Sequence, residues 1–307
     1  MKNFLFLLFI PFITLSQIET LPERPSFKAN LLENSPELDG NILEDEIWKN
    51  LQSIGPMVQT KPSFGLSSSE KTDIKVAFSK TFMFVGVVCY DSSPNTLVVS
   101  DSRRDASLDD DDSFLFIIDT YNDQQNGFLF GTNSAGMEYD AQIDNEGVGN
   151  RTAQRQQGGV IGGTNLNWDA SWDVKTEVGD YGWSAEFAIP LKSLRFSPGE
   201  NKIWGINFQR NISKSNEIAF WAALPLGFNF GIKRVSLAGK MNGISLKKPG
   251  NLKFFPYGLT QFTNNSIDNN TSSNVEFGAD LKSVSYTHLR AHETPEHRVW
   301  RGMLEKK

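Results

Sequence analysis

The sequence of 307 residues is poor in cysteine and histidine, and both shortages exclude kinds of chemistry. Its one cysteine, Cys89, excludes a disulfide framework and a thiolate zinc site. Because Cys89 lies in an apolar run, we interpret it as a small core residue rather than a nucleophile. The three histidines, His288, His292 and His297, lie near the C-terminus, so the body of the chain has no imidazole for metal binding or Ser-His catalysis.

Positive charge is also in short supply. The chain has 30 Lys and Arg residues against 36 Asp and Glu residues, a net charge of −6 at pH 7. A chain of this kind lacks the basic surface on which nucleic-acid binding depends. No nucleic-acid partner is therefore expected.

The two ends of the chain differ in composition from its middle. Residues 1–16 combine Lys2 with an apolar run that is too short to span a membrane, which predicts a signal peptide and export to the outer membrane, the periplasm or the cell surface. Residues 285–294 resemble translated sequencing-adaptor sequence. We therefore expect residues 283–307 to be an artefactual tail without a role in folding; the alternative is a natural basic terminus with a histidine cluster.

Residues 38–240 carry the pattern of an all-β protein, an antiparallel β-sandwich. Short apolar and alternating segments are separated by polar turns. They predict strands that begin at residue 72 and continue at 82–90, 113–119, 128–132, 137–143, 172–177, 182–189, 203–211 and 217–224. Residues 17–37 are expected to be an extended lead-in, and Asn41 with Glu44 has the spacing of a helix cap before Trp48. In the strand at 182–189, alternation predicts that Trp183 and Phe187 face the core and that Glu186 does not.

Residues 241–282 have a different composition, with a lysine-rich stretch around Pro249. Two further strands are predicted at 252–262 and 275–281, joined by a polar turn over 264–274. Two strands and a long turn are not stable alone. We therefore expect this part to be a linker and the beginning of a larger, truncated β-structure.

Three motifs resemble the carbohydrate-binding module family nine superfamily. They are Leu38-Asp39-Gly40 with Glu46-Ile47-Trp48, then Asp111-Asp112-Ser113-Phe114, and then the run Trp-Ser-Ala-Glu-Phe-Ala-Ile-Pro at 183–190. The match is best to the family-nine-like domain at the front of a group of bacterial outer-membrane proteins, in which the module precedes a β-barrel. The resemblance implies a β-sandwich, sugar binding, bound calcium in some members, and an outer-membrane partner through the missing barrel.

A sugar site needs an aromatic face together with polar groups for the hydroxyls. Trp168 lies in a Gly- and Asn-rich loop between Asn165 and Asn167, and Arg151 and Arg155 could add charged donors. In the alternative interpretation Trp168 folds back as a lid over the end of the sandwich. Trp221 is a second indole that fits either a core or a binding role.

The densest charge is the run of four aspartates at 109–112. Asp109, Asp111 and Asp112 offer the oxygen ligands that calcium prefers. Ion pairs with Arg103 and Arg104, or a solvated loop, are the alternatives. No other cofactor and no catalytic residue is predicted.

Taken together, these features predict carbohydrate binding by an exported module linked to glycan breakdown or uptake. One alternative is a protein associated with glycoside hydrolases. The other is a structural or receptor domain of an outer-membrane barrel that has no sugar ligand.

Overall fold

The computed structural model describes residues 23–148, 160–161, 163–225, 231–247, 252–265 and 270–283. The predicted signal peptide and the predicted tail beyond residue 283 lie outside them. The chain divides between Lys248 and Pro249 into two compact units. Within the described ranges, no helix has both the length and the apolar character needed to cross a membrane.

The described segments form 17 strands and one short α-helix, α1 (Glu46–Lys49). The strands are β1 (Ser26–Lys28), β2 (Asn30–Leu31), β3 (Val58–Lys61), β4 (Thr72–Phe78), β5 (Phe82–Tyr90), β6 (Ser113–Asp119), β7 (Gly127–Asn133), β8 (Tyr139–Ile143), β9 (Val160–Ile161), β10 (Thr164–Asn165), β11 (Asp173–Gly179), β12 (Gly182–Pro190), β13 (Gly199–Ile212), β14 (Glu217–Phe220), β15 (Gly239–Leu246), β16 (Leu252–Asn265) and β17 (Asn270–Ser283).

The first unit is a sandwich of two sheets, which confirms the predicted all-β class. The larger sheet has ten strands in the described segments, ordered β1-β15-β13-β6-β7-β8-β10-β9, with β14 attached to β13 and β3 attached to β14. The smaller sheet has the order β11-β12-β5-β4-β2. Pairing is antiparallel except that β1 lies parallel to β15 and β2 parallel to β4. The predicted lead-in therefore supplies one strand to each sheet.

Aromatic side chains from both sheets fill the space between them. Phe116 of β6 meets Phe187 of β12 edge to face with ring centroids 5.0 Å apart, and Trp172 stacks on Phe187 at 5.7 Å. Trp183 and Phe187 are completely buried, as alternation along β12 predicts. The core between the sheets is thus built from the inward faces of the predicted strands, together with Met241, Ile244 and Leu246 of β15, a strand that the sequence analysis assigned to the linker.

The outer faces of both sheets are covered as well, and this overturns one expectation. Glu186, predicted to lie away from the core, is only 1% exposed. Its carboxylate accepts hydrogen bonds from Trp48 Nε1 and from the backbone N–H groups of Asp39 and Gly40, the latter two at 2.9 and 2.7 Å. Alternation correctly puts Glu186 on the face opposite Phe187, but the segment that contains α1 covers that face.

The cap predicted for the short helix is wrong by four residues. The helix begins at Glu46, and the side chain of Asp45 accepts a hydrogen bond from Ile47 N at 2.6 Å. Asn41 instead stabilises an earlier turn, in which its side chain accepts from Glu44 N at 3.1 Å. Spacing alone does not show which of two capping side chains so close in sequence begins the helix.

In its described residues, the second unit is a two-stranded hairpin of β16 and β17. Pairing runs from Leu252↔Ser283 to Asn265↔Asn270, so the predicted turn over 264–274 is too long. Large apolar side chains on this hairpin are exposed, including Phe254 at 62% and Phe277 at 86%.

Cys89 lies on β5 and is completely buried, which raises the pKa of its thiol to about 11. At pH 8 it should therefore resist a thiol-specific reagent in the folded protein and react within seconds in denaturant. The absorbance of the thiolate that the reagent releases measures the rate of labelling directly. Full labelling of the folded chain at the denatured rate would contradict the burial of β5.

Candidate functional site

Trp168 lies where the chain crosses from β10 of the large sheet to β11 of the small one. Its ring is half-buried and packs on Phe128 and Phe130, at centroid distances of 4.9 and 5.9 Å. Part of the indole thus closes the side of the sandwich, as the lid interpretation predicts, and part remains open to solvent.

The two asparagines before Trp168 have different positions. The side chain of Asn165 is half-buried, and its oxygen accepts from Asn167 N at 3.1 Å, which fixes the turn before the indole. The side chain of Asn167 is exposed beside Trp168 in sequence. The arginines predicted to join them, Arg151 and Arg155, lie outside the described residues.

An arginine that the sequence did not place here organises the polar groups next to Trp168. Arg104 Nη2 lies 2.7 Å from Asp140 Oδ1 and 2.6 Å from Asp169 Oδ1. Its Nη1 lies 2.5 Å from Glu138 Oε2. Asp105 adds a fourth carboxylate, 3.6 Å from Arg104 Nε. We call Arg104, Glu138, Asp140, Trp168 and Asp169 the Trp168 edge.

Electrostatics keep this group of charges together. Burial tends to lower the pKa of the Arg104 guanidinium, but the surrounding carboxylates outweigh it and raise that pKa. Burial raises the pKa of the Glu138 and Asp140 carboxyls, and the charge of Arg104 opposes the rise. The arginine and its carboxylates therefore hold one another in fixed positions.

Asp140 connects the edge to the core. It is 1% exposed, and it accepts from Ala170 N at 2.9 Å and from Trp172 Nε1 at 3.2 Å. These bonds fix the segment that follows Trp168 relative to β8. A buried carboxylate needs such partners. No signal in the sequence marks this position, because alternation along β8 puts Asp140 on the polar face of the strand.

The second predicted indole, Trp221, is not part of this group. It is 7% exposed and packs between Phe27 and Phe208, with ring centroids at 5.5 and 5.7 Å. Of the core and binding roles that the sequence left open for Trp221, the structure shows the core one, at a different edge of the sandwich from Trp168.

The aspartate run is held by hydrogen bonds rather than by arginines. Asp111 accepts from Ser100 N at 2.7 Å and from Asn133 Nδ2 at 2.8 Å. Asp112 accepts from Val98 N at 2.7 Å and from Ser213 N at 3.2 Å. Both side chains are buried, so these donors offset the cost of removing the carboxylates from water.

The predicted calcium ligands do not converge. Asp109 is exposed and accepts from Ser107 Oγ at 3.1 Å, whereas Asp111 and Asp112 are directed to other donors. No group of three acidic, histidine or cysteine side chains suited to a metal occurs in the part of the chain that the structure describes. The ion-pair alternative is wrong as well, because Arg103 pairs with Asp101 at 2.6 Å and Arg104 belongs to the Trp168 edge.

No family model and no curated protein matches this chain. Among solved structures, a carbohydrate-binding module of family 9 from Caldicellulosiruptor kristjanssonii in complex with glucose is 16% identical, with a TM-score of 0.50 over 74% of this chain and 100% of that one. A protein from Bacteroides uniformis proposed to bind carbohydrate is 10% identical, with a TM-score of 0.52 over 72% of this chain and 99% of that one. The family-nine resemblance read from the sequence is therefore confirmed at the level of the fold.

Proposed function

We propose that the first unit is a carbohydrate-binding module whose site is the Trp168 edge. The observation that carries this proposal is a half-buried indole next in sequence to Asp169, whose carboxylate lies 2.6 Å from Arg104, the guanidinium that also holds Glu138. The fold supports the proposal, because the similar module from Caldicellulosiruptor kristjanssonii was solved with glucose.

The chemistry of these groups suits a pyranose ring. The exposed part of Trp168 offers an apolar face to sugar C–H groups, while carboxylates accept hydrogen bonds from hydroxyls and the guanidinium donates to them. Arg104 and its acidic neighbours are preorganised, so binding costs little side-chain entropy. A single half-buried indole still offers little area, so we expect affinities on the order of micromolar to millimolar.

This function agrees with the predicted export signal and links the protein to the capture of glycans for breakdown or uptake outside the cytoplasm. In this proposal the module holds a sugar chain reversibly and releases no product. Attachment to the outer membrane through a barrel that follows the second unit belongs to the same proposal. The exposed apolar residues of β16 and β17 support it, since such a hairpin needs further strands.

Replacing Trp168 by alanine should weaken glycan binding about tenfold, since an aromatic contact of this kind is worth roughly 1–1.5 kcal/mol. Wild type and variant are compared by calorimetric titration with glucose and with the oligosaccharides that a glycan array selects. Phe64→Ala, which removes an aromatic ring that is 44% exposed in another loop, is the matched control and should bind as wild type does. Equal binding by a folded Trp168→Ala variant would refute the site.

A structural role without a sugar ligand is the second candidate. The packing of Trp168 on Phe128 and Phe130 favours it, because the indole also closes the sandwich. In that case Trp168→Ala lowers the melting temperature, and the wild-type protein binds no glycan on the array. Measuring melting and binding on the same samples separates the two candidates.

A further inference from the structure

The charges at the Trp168 edge are unbalanced. The carboxylates around the Arg104 guanidinium are those of Asp105, Glu138, Asp140 and Asp169. One positive charge therefore faces four negative ones, and the ionised group has a net charge of −3 in the described residues. Asp173 adds a further negative charge beside Glu138.

The indole and these charges lie on one face of the large sheet. Phe130 of β7 is paired with Asp140 of β8, and paired residues on neighbouring strands point to the same side. Trp168 packs on Phe130 with ring centroids 5.9 Å apart, and Arg104 Nη2 lies 2.7 Å from Asp140 Oδ1. Asp169 follows Trp168 directly and reaches the same Nη2 at 2.6 Å. A sugar ring on the exposed part of the indole therefore has the charged groups within reach.

Arg104 has few N–H groups left for a ligand. Its Nη2 has two N–H groups and two carboxylate acceptors, Asp140 and Asp169, and one N–H of Nη1 is directed to Glu138. A two-pronged contact with a ligand carboxylate needs adjacent N–H groups, one of them from Nη2. Within the described residues one N–H of Nη1 remains, which suits a sugar hydroxyl but not an acid. Arg104 is therefore mainly a positioning residue for the carboxylates.

The carboxylates differ in how open they are to a ligand. The side chain of Asp169 is 78% exposed, and that of Glu138 is 29% exposed. Asp140 is buried and already accepts hydrogen bonds from Ala170 and Trp172. Asp169 is thus the acceptor that a ligand beside the indole meets first. An ionised carboxylate accepts hydrogen bonds without donating any, attracts a cation and repels an anion.

We propose that the Trp168 edge selects glycans by charge, binding sugars with a protonated amine most tightly, neutral sugars less tightly and uronic acids least. This inference rests on the proposed function, because the sugar ring uses the same aromatic contact. The ammonium group of an amino sugar pairs with Asp169, while Arg104 holds the carboxylates in place. A uronic acid meets like charge and finds no free pair of donors, which suppresses its binding.

Calorimetric titration of the full chain with four disaccharides that share one linkage tests this selectivity. They are cellobiose, the glucosamine dimer, its N-acetylated form, and glucuronic acid linked to glucose, at about pH 6, where a sugar amine is protonated. We expect the glucosamine dimer to bind about fivefold more tightly than cellobiose, the size of one exposed charge contact. The N-acetylated dimer has no charge and should lack this advantage. The uronic acid should bind more weakly than cellobiose.

Variants place the charge contact. Asp169→Asn should lower the affinity for the glucosamine dimer about fivefold more than the affinity for cellobiose. Asp180→Asn is the matched control, because it removes one exposed carboxylate from the turn between β11 and β12 and should leave all the affinities unchanged. Trp168→Ala should weaken the binding of both sugars by a similar factor, since both use the indole.

The outcomes separate this inference from the proposed function. Equal binding of the glucosamine dimer and cellobiose, a preference that Asp169→Asn leaves intact, or a uronic acid that binds as tightly as cellobiose would overturn the charge selectivity while the sugar site stands. Binding of the glucosamine dimer that survives Trp168→Ala would put the cation elsewhere on this acidic protein and would also overturn it. If none of the four sugars binds, the proposed function fails together with the inference.

Discussion

Replacing Trp183 by alanine should lower the free energy of unfolding of the sandwich by about 3–5 kcal/mol. Trp183 is completely buried on β12, which lies between β11 and β5 in the small sheet. Truncation removes a large apolar surface from the core and leaves a cavity that the surrounding strands cannot close. Urea denaturation followed by circular dichroism measures the change.

Two controls isolate the effect of packing. Trp183→Phe keeps an aromatic ring and removes an indole N–H that has no hydrogen-bond partner in the described structure, so its cost should stay below about 1.5 kcal/mol. Val178→Ala changes the residue opposite Trp183 on β11, which is 55% exposed, and should stay within about 0.5 kcal/mol of wild type. A loss below about 1 kcal/mol in Trp183→Ala would contradict its place in the core.

Replacing Glu186 by alanine should destabilise the sandwich by about 3 kcal/mol or more, because it leaves several buried donors without an acceptor. The donors are Trp48 Nε1 and the N–H groups of Asp39 and Gly40. These hydrogen bonds hold the segment that contains α1 over the outer face of the small sheet. Trp48→Phe removes one of these donors together with part of the ring, and a double-mutant cycle with Glu186→Ala should show coupling.

The pH dependence of stability gives an independent measure of Glu186. Burial raises the pKa of its carboxyl, against the hydrogen bonds from Gly40, Asp39 and Trp48 that lower it. The folded chain therefore keeps this proton to a higher pH than the unfolded chain does. The contribution of Glu186 to stability is complete below the unfolded pKa and is lost as the pH rises through the folded pKa.

Glu186→Gln has no carboxyl to titrate at this position, so the stability of wild type relative to this variant should fall as the pH rises above about 4, the ordinary pKa of a glutamate. Urea unfolding at each pH provides the comparison. A constant difference, or one that grows with pH, would show that the buried carboxyl has no raised pKa.

The strands were predictable from the sequence because their signal is local. β5 is a continuous apolar run, and alternation along β12 fixed which face Trp183 occupies. The burial of Glu186 was not predictable, since its partner Trp48 is 138 residues away. Alternation tells which residues share a face but not whether another segment covers that face.

The candidate site was predictable only in part, for the same reason. Composition identified the Trp168 turn, but Arg104 reaches Asp169 across 65 residues and no spacing rule connects them. The crowded aspartates suggested a metal ion or ion pairs with arginines, because the sequence does not show which backbone N–H groups lie near them. The structure supplies those donors to Asp111 and Asp112 from two loops, one with Val98 and Ser100 and the other with Ser213.

The central claim is that the sandwich binds glycans at Trp168, and the most direct test is an NMR titration of the full chain with ¹⁵N-labelled indoles. Trp168→Phe identifies the Nε1–H signal of Trp168 among the seven tryptophans. With glucose or an oligosaccharide selected on the array, that signal should move saturably, whereas the signals of the buried Trp183 and Trp204 stay in place. A Trp168 signal that does not move at saturating glycan would contradict the account.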